Sequence, residues 1–333
     1  MAGVLRQALT SLARCGAVAL LLGGTSAFAA GPRPATIWIP EAPDGLAARQ
    51  MTYLVKRIEE RLPRHFTFDV RTDGECPPQA ELLDQVREGR IDIAVVDDAM
   101  IDAVPRLALF RIPWLFDDRL EVQRALYAGL EDEIRSHVED LLKVVVVGLY
   151  ARGFHHVRGS RAFNGPEDFA RRKILVDSGK SLRDLWRELG AVPQKISMDT
   201  AAQALGQGTV EAFDGMIDEL AALPLGGNAN VITLSRHVYA PAFVVASRSF
   251  WESLTDAERA AITECGLDFS DTAARLAETY AQAVLKRLPA HIRVHPVPRD
   301  HFAQITAEHR AAYQRAFGTD WLEILDFSRQ PQR

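Results

Sequence analysis

Four acidic side chains stand at predicted strand ends, where they could bind a ligand or exchange a proton. Asp97 and Asp98 directly follow one buried β-branched run, and Asp214 follows another. Glu41 comes after a shorter alternating run. Ligands of open α/β sheets bind beyond the carboxyl ends of the strands, so we expect these acids to line a cleft. Adjacent acids at a strand end more often cap a helix or bind a ligand than catalyse a reaction.

Cations and imidazoles near these acids could hold an anionic ligand. Three basic residues lie near the candidate residues in the sequence, namely Arg152, Arg158 and Lys180. His155 and His156 are adjacent, so along a strand they would point to opposite faces and could not chelate one ion. We therefore predict no metal site and expect a wall or surface position for both histidines.

Common catalytic motifs are missing from the sequence. It has no G-x-S-x-G elbow, no H-E-x-x-H pair and no phosphate-loop or EF-hand spacing. Gly206-Gln207-Gly208 lacks the third glycine of a dinucleotide fingerprint and does not open a helix. We therefore predict a binding protein that is not an enzyme and that uses no cofactor.

Alternating strands and helices must position these residues. Helical spacing covers 46–62, starts again at Pro77 and ends near Gly89, and recurs from Ser197 or Asp199 to Ala204. This alternation predicts an α/β layer structure. The predicted strands are 36–40, 66–71, 91–96, 143–149, 174–177, 210–213 and 239–246.

A long helix dominates the C-terminal third. Thr255 and Glu258 form a capping box, and the helical pattern then runs to Leu288, where Pro289 ends it. Such a helix is about 50 Å long at 1.5 Å per residue, which exceeds one small domain. We therefore expect it to run along two lobes, with Gly266 as a candidate bend point.

A weak internal repeat supports the two lobes. Residues 86–94 resemble residues 205–213: each stretch has a helix end, a glycine, two residues, an acid and a buried strand. Two lobes with this shared plan would set Asp97 and Asp98 opposite Asp214 across a cleft.

The N-terminus has the pattern of a signal peptide. Arg6 and Arg14 precede or flank the apolar stretch 16–28, and residues 27–29 match a small-x-small cleavage site. We predict cleavage after Ala29 and a periplasmic product. The apolar stretch is too short to span about 30 Å of hydrocarbon, so we expect no stable membrane insertion.

Composition is that of an ordinary globular protein. The 333 residues correspond to roughly two domains, with 47% hydrophobic and 25% charged residues. The net charge of −5 makes nucleic acid an improbable partner. Cys76 and Cys265 would remain after cleavage, and an oxidising compartment permits but does not require a disulfide between them.

Five stretches carry recognisable patterns in a fixed order. They are LLDQVREGRIDIA at 82–94, PRL with RIPWLF at 105–116, NGPEDF with KILV at 164–176, LGAVP to GTVE at 189–211, and SRHVY with WESL at 235–254. Together they resemble the DctP-type solute-binding receptors of tripartite ATP-independent periplasmic (TRAP) transporters.

This resemblance implies a two-lobed periplasmic binding protein fold with mixed sheets and one long helix spanning both lobes. It implies a cleft that closes by a hinge motion on a small organic solute, and partnership with the membrane subunits of a TRAP permease. An alternative is a sensor partner that presents its ligand to a signalling receptor. We predict hinges near 152 and 240, lobe I at 30–152 plus 241–280, and lobe II at 153–240 plus 281–333.

Departures from the family pattern concern the ligand clamp. The ligand clamp of the family uses an arginine in a KIRV motif, a second arginine and an asparagine. At these three positions this chain has Leu175, His155 and Gly215. Without the two arginines, we expect the acidic side chains of the cleft to bind a simple dicarboxylate poorly. A cationic, amine-bearing or polyhydroxy ligand should bind better. An acid held by Arg152 or Lys180 is the alternative. The predicted solute-binding residues are Glu41, Asp97, Asp98, Arg152, His155, Leu175, Met198, Phe213, Asp214 and Gly215.

Overall fold

The structure is a computed structural model that describes residues 31–330 except 73, 178, 197 and 224–228. The predicted signal peptide and the proposed Ser197 cap lie outside the described residues. Within the described part of the chain, every helix is too short or too polar to cross a membrane.

Five strands form the first sheet, in the spatial order β2-β1-β3-β10-β4. β1 runs parallel to β2 and β3, whereas β10 is antiparallel to both of its neighbours, so the sheet is mixed. The strands are β1 (Arg33–Trp38), β2 (Phe66–Arg71), β3 (Ile93–Val96), β4 (Val145–Phe154) and β10 (Tyr239–Ala246).

Both faces of the first sheet are buried, which explains the run of four valines. Val144 and Val146 enter one hydrophobic cluster, whereas Val145 and Val147 enter the cluster on the opposite face. A strand covered on both sides is apolar at every position. The covering helices are α1 (Leu46–Arg61), α2 (Gln79–Arg87), α3 (Asp98–Ala103), α4 (Arg119–Ala125), α5 (Glu131–Leu142) and α9 (Arg248–Glu252).

Six strands form the second sheet, in the order β11-β9-β5-β8-β6-β7. It too is mixed, because β5 is antiparallel to β8 and β9 while β6 is parallel to β7 and β8. The strands are β5 (His156–Gly159), β6 (Lys173–Val176), β7 (Val192–Gln194), β8 (Ala212–Gly215), β9 (Val231–Leu234) and β11 (Arg293–Pro296). Its helices are α6 (Lys180–Glu188), α7 (Met198–Gly206) and α8 (Ile217–Ala222).

Two chain crossings join the sheets. His155 links β4 to β5, and residues 235–238 link β9 to β10. The backbone N–H of His155 donates to the carbonyl of Val238 over 3.0 Å, so the two crossings lie side by side. These sheets with their helices form two lobes, as expected, and the crossings lie close to the predicted hinges.

The long helix α10 (Asp256–Lys286) packs on both lobes, as predicted. Its capping box is confirmed, because the Glu258 carboxylate accepts the backbone N–H of Thr255 over 2.7 Å. Phe269 is buried against the first sheet, whereas Leu285 packs on the cluster of the second. A Cβ on Gly266 would lie 1.8 Å from the carbonyl oxygen of Val147, so this glycine allows α10 to approach β4 closely.

The C-terminal helices contact both lobes. α11 (Ala303–Phe317) and α12 (Asp320–Ser328) contribute Tyr313 and Trp321 to the cluster on the first sheet. Ile305 of α11 packs instead on the cluster of the second lobe that contains Trp186. The exact lobe boundaries stay a prediction.

Local predictions were accurate where one pattern decided the element. β2 and β10 have the predicted bounds, whereas β4 extends to Phe154, five residues beyond the predicted 149, because it pairs with the whole of β10. Cys76 and Cys265, both among the described residues, are not joined by a disulfide.

Candidate functional site

A cavity of about 560 Å³ lies between the lobes, and both lobes supply its walls. The first lobe contributes the ends of β1, β3 and β4, and the second contributes the end of β8 and the start of α8. This is the region beyond the strand ends where open α/β sheets bind ligands. Seven of the predicted residues line it, namely Glu41, Asp97, Asp98, Arg152, His155, Phe213 and Asp214.

Three predicted residues are not among the lining residues. Leu175 is fully buried in β6, where it joins the hydrophobic cluster that contains Phe213. Gly215 lies in β8, and a Cβ there would be 2.9 Å from a carboxylate oxygen of Glu219. The side chain of Met198 lies outside the described residues.

Several residues that line the cavity were not predicted from the sequence. Asp177 directly follows β6, so the strand-end argument used for Asp97 would also have found it. Asp218 and Glu219 occupy the first turn of α8, where acids are expected anyway because of the helix dipole. The remaining polar residues missed are Asp44, Gln79 and Tyr280.

Arg152 is the cation of the predicted set that reaches the cavity. Its guanidinium donates to Asp97 over 2.5 Å and to Glu41 over 2.7 Å, and Glu219 lies 3.9 Å away. Burial alone would lower the pKa of Arg152, but the carboxylates of Asp97 and Glu41 outweigh it and raise that pKa. Two of the acids therefore share one arginine, which compensates one unit of their negative charge.

The other two candidate cations lie elsewhere. Arg158 donates to the backbone carbonyls of Ala229 and Leu220, so it holds the C-terminal end of α8. Lys180 pairs with Asp184 on the surface of α6 and is 76% exposed. Neither lines the cavity.

A buried network surrounds Asp214. His155 Nδ1 lies 2.8 Å and His237 Nε2 lies 3.2 Å from its Oδ1 atom, while Trp186 Nε1 donates to Oδ2 over 2.6 Å. All of these side chains are nearly inaccessible to solvent. The sequence analysis missed His237, because it compared only the neighbouring histidines.

Charge distribution within this network follows from burial and contact. Burial would raise the pKa of Asp214, but the imidazoles of His237 and His155 hold it well below its usual range. Burial would lower the pKa of His155, yet the Asp214 carboxylate outweighs burial and raises it. For His237, burial dominates and lowers the pKa.

His156 occupies a different environment from His155. It is buried in the wall of another cavity, which agrees with the wall position expected as one of two alternatives, and its Nδ1 accepts the backbone N–H of Arg236 over 3.2 Å. Burial lowers the pKa of His156 to about 3, so it is neutral. The two histidines do point to different surroundings, as the strand argument predicted.

Negative charge dominates the cavity. Burial raises the pKa of Glu41 and raises the pKa of Glu219 to about 7, so these two carboxyls take up a proton more readily than free ones. Among the described lining residues, eight carboxyl side chains stand against two basic side chains, Arg152 and His155. The lining acids are Glu41, Asp44, Asp97, Asp98, Asp177, Asp214, Asp218 and Glu219.

Two α/β lobes with paired crossings and a polar cavity between them define a two-lobed solute-binding protein. Residues 35–325 match the DctP family, described as bacterial extracellular solute-binding protein, family 7, and the chain belongs to this family. The resemblance inferred from sequence motifs is thereby confirmed.

Known relatives are distant in sequence but similar in fold. The C4-dicarboxylate-binding periplasmic protein DctP of Rhodobacter capsulatus is 21% identical over 277 residues, which cover 83% of this chain and 80% of the relative. A TRAP periplasmic solute-binding protein of Chromohalobacter salexigens, solved with bound D-glucuronate, has a TM-score of 0.77 at 16% identity and covers 88% of this chain and 98% of its own. One from Haemophilus influenzae, with bound L-gulonate, has a TM-score of 0.79 at 14% identity over 89% of this chain and all (100%) of its own.

Proposed function

We propose that this chain is the periplasmic receptor of a TRAP transporter and captures a small, hydroxyl-rich organic solute for a membrane permease. The observation that carries this proposal is the polar cavity between the lobes, in a chain that belongs to the DctP family. A receptor needs a site that encloses its solute and a hinge that opens it. The family relatives are transport receptors, and they give no support to a sensor partner.

The chemistry of the lining favours hydroxyl groups. Ionised carboxylates only accept hydrogen bonds, and each hydroxyl of a polyol or sugar acid can donate one. The solutes in the two structural relatives, D-glucuronate and L-gulonate, are rich in hydroxyls. The single carboxylate of such a solute can accept hydrogen bonds from Arg152. The guanidinium then donates to the solute as well as to Glu41 and Asp97.

A dicarboxylate fits this lining less well. Leu175 offers no donor, and Arg152 already bonds two acids, so a second carboxylate would meet uncompensated negative charge. A charged hydrogen bond is worth about 1.5–3 kcal/mol, so two lost contacts weaken such a ligand by roughly 10²- to 10⁴-fold.

Calorimetry on the purified chain tests the solute class. Titration with galactonate, gulonate, glucuronate, polyols and amines should give saturable binding for at least one hydroxyl-rich solute. Succinate and malate should bind at least about 100-fold more weakly. Tight succinate binding that survives Arg152→Ala would reject this assignment.

Export is part of the proposal. The basic start, apolar stretch and small-x-small site at 27–29 support secretion through a signal peptide. Cell fractionation and N-terminal sequencing should give a periplasmic chain that begins at Ala30. A product that retains Met1 would contradict it.

A further inference from the structure

We propose that His155, Asp214 and His237 bind one divalent transition-metal ion of the zinc type at the junction of the two lobes. His155 Nδ1, an oxygen of Asp214 and His237 Nε2 all lie within 4.8 Å of one another. Two imidazoles and one carboxylate are a common ligand set for zinc and for other first-row metals that accept nitrogen ligands.

The position of His237 supports the proposal independently. Its Nε2 atom is completely buried and lies 3.2 Å from Oδ1 of Asp214, yet within the described part of the chain it makes no hydrogen bond of good geometry. A buried nitrogen without a well-formed hydrogen bond has lost the water contacts of the unfolded chain, and this loss destabilises the fold. A metal ion between Nε2 and Asp214 removes that cost.

Surrounding groups leave the ligand atoms available. Ser235 Oγ lies 2.9 Å from His237 Nδ1, so a proton on Nδ1 can be donated to the serine while Nε2 keeps its lone pair. Trp186 donates to Oδ2 of Asp214, which leaves Oδ1 for the metal. Metal-bound histidines and carboxylates typically have such outer hydrogen-bond partners, which fix their orientation.

The three ligands come from three separate segments of the chain. His155 lies on the first crossing and His237 on the second, while Asp214 belongs to β8 of the second lobe. An ion held by all three would fasten the two crossings to β8. Because His155 and Asp214 also line the solute cavity, the fourth coordination position of the ion would face that cavity.

Metal binding can be measured without any solute, so the test does not depend on the proposed transport function. Untagged full-length chain is stripped with a chelator and titrated with Zn²⁺ by calorimetry and with Co²⁺ by visible absorption. We expect one ion per chain and a cobalt spectrum typical of four-coordinate nitrogen and oxygen ligands. If the stripped, folded wild-type chain binds neither ion, the proposal is wrong.

Variants locate the site. His237→Asn and His155→Asn should each weaken Zn²⁺ binding by more than about 100-fold, and Ser235→Ala by about 10- to 100-fold, as for an outer partner. The matched control is His291→Asn, because His291 is an exposed histidine outside the cluster. Circular dichroism verifies that each variant is folded. Should His237→Asn and His155→Asn bind Zn²⁺ like wild type, or His291→Asn abolish binding, the ion lies elsewhere and the assignment fails.

Discussion

The carboxylate of Asp102 in the first lobe accepts the backbone N–H of Lys180 in the second lobe over 2.6 Å. It also accepts the N–H of Ser181 over 2.9 Å, so it caps the N-terminus of α6 from across the lobe boundary. Asp98 adds a hydrogen bond from the N–H of Gly179 over 3.1 Å. The first lobe thus supplies hydrogen-bond acceptors that the start of a helix in the second lobe would otherwise take from water.

Removal of this cap should favour the open form of the receptor. A helix cap is worth about 1 kcal/mol, so Asp102→Ala should shift the closed–open equilibrium, and with it the solute dissociation constant, by about fivefold. Calorimetry measures the dissociation constant, and small-angle X-ray scattering measures the opening. Asp84→Ala is the control, because Asp84 forms an ion pair with Arg87 on its own helix. Unchanged affinity in Asp102→Ala would mean that the cap does not contribute to closure.

Loss of Arg152 should destabilise the chain strongly. Arg152→Gln leaves Glu41 and Asp97 without their common cation in a mostly buried position, which costs about 3–5 kcal/mol. Arg71→Gln breaks comparable bonds at an exposed site and should cost less than about 1 kcal/mol. Urea unfolding of both variants measures the difference. Equal losses would show that the Arg152 network contributes no more than a surface pair.

Glu219 should make stability depend on pH. Burial raises its pKa from an ordinary value of 4.5 to about 7. Between these values the folded chain holds a proton that the unfolded chain has released, so this residue's contribution to stability falls as the pH rises through that window. Glu219→Gln removes the effect, and its melting temperature relative to wild type should therefore rise from about pH 5 to about pH 8.

The matched control for this titration is Glu252→Gln, because Glu252 is exposed in α9. Differential scanning calorimetry should give that variant the same pH profile as wild type. A melting-temperature difference for Glu219→Gln that does not change with pH would contradict the assigned pKa.

Gly266 should tolerate no larger residue. In Gly266→Ala the new methyl group would overlap the carbonyl oxygen of Val147, so α10 and β4 must separate, at a cost of about 1–3 kcal/mol. Leu267→Ala changes the next residue on the exposed side of the same helix and should cost much less. Chemical denaturation compares the two. A Gly266→Ala chain as stable as wild type would show that the helix can move away freely.

Elements set by local patterns were predictable from the sequence. The capping box of Thr255 and Glu258 lies within four residues, and the apolar, fully buried strand β10 is recognisable from its own residues. Strand ends are also local, which is why Asp97 and Asp214 were correctly placed at one cavity.

Contacts between distant segments were not predictable in this way. His237 reaches Asp214 only because two crossings lie side by side, and neither residue carries a spacing that signals the other. The same reason applies to Trp321, whose burial against lobe I depends on where α12 packs after α10 has crossed both lobes. The interpretation of Leu175 as a cavity residue came from a motif position, which does not say which hydrophobic cluster its side chain joins.

The placement of β10 has a consequence for how the chain acquires its structure. This strand lies between β3 and β4 and bonds to both, yet it follows every strand of the second lobe except β11 in the sequence. Until residues 239–246 are present, β3 and β4 have no partner between them, and the first lobe cannot complete its sheet. The amino-terminal half of the chain is therefore not an independent folding unit, and the long-range pairing favours slow, late assembly of the lobe whose residues are synthesised first.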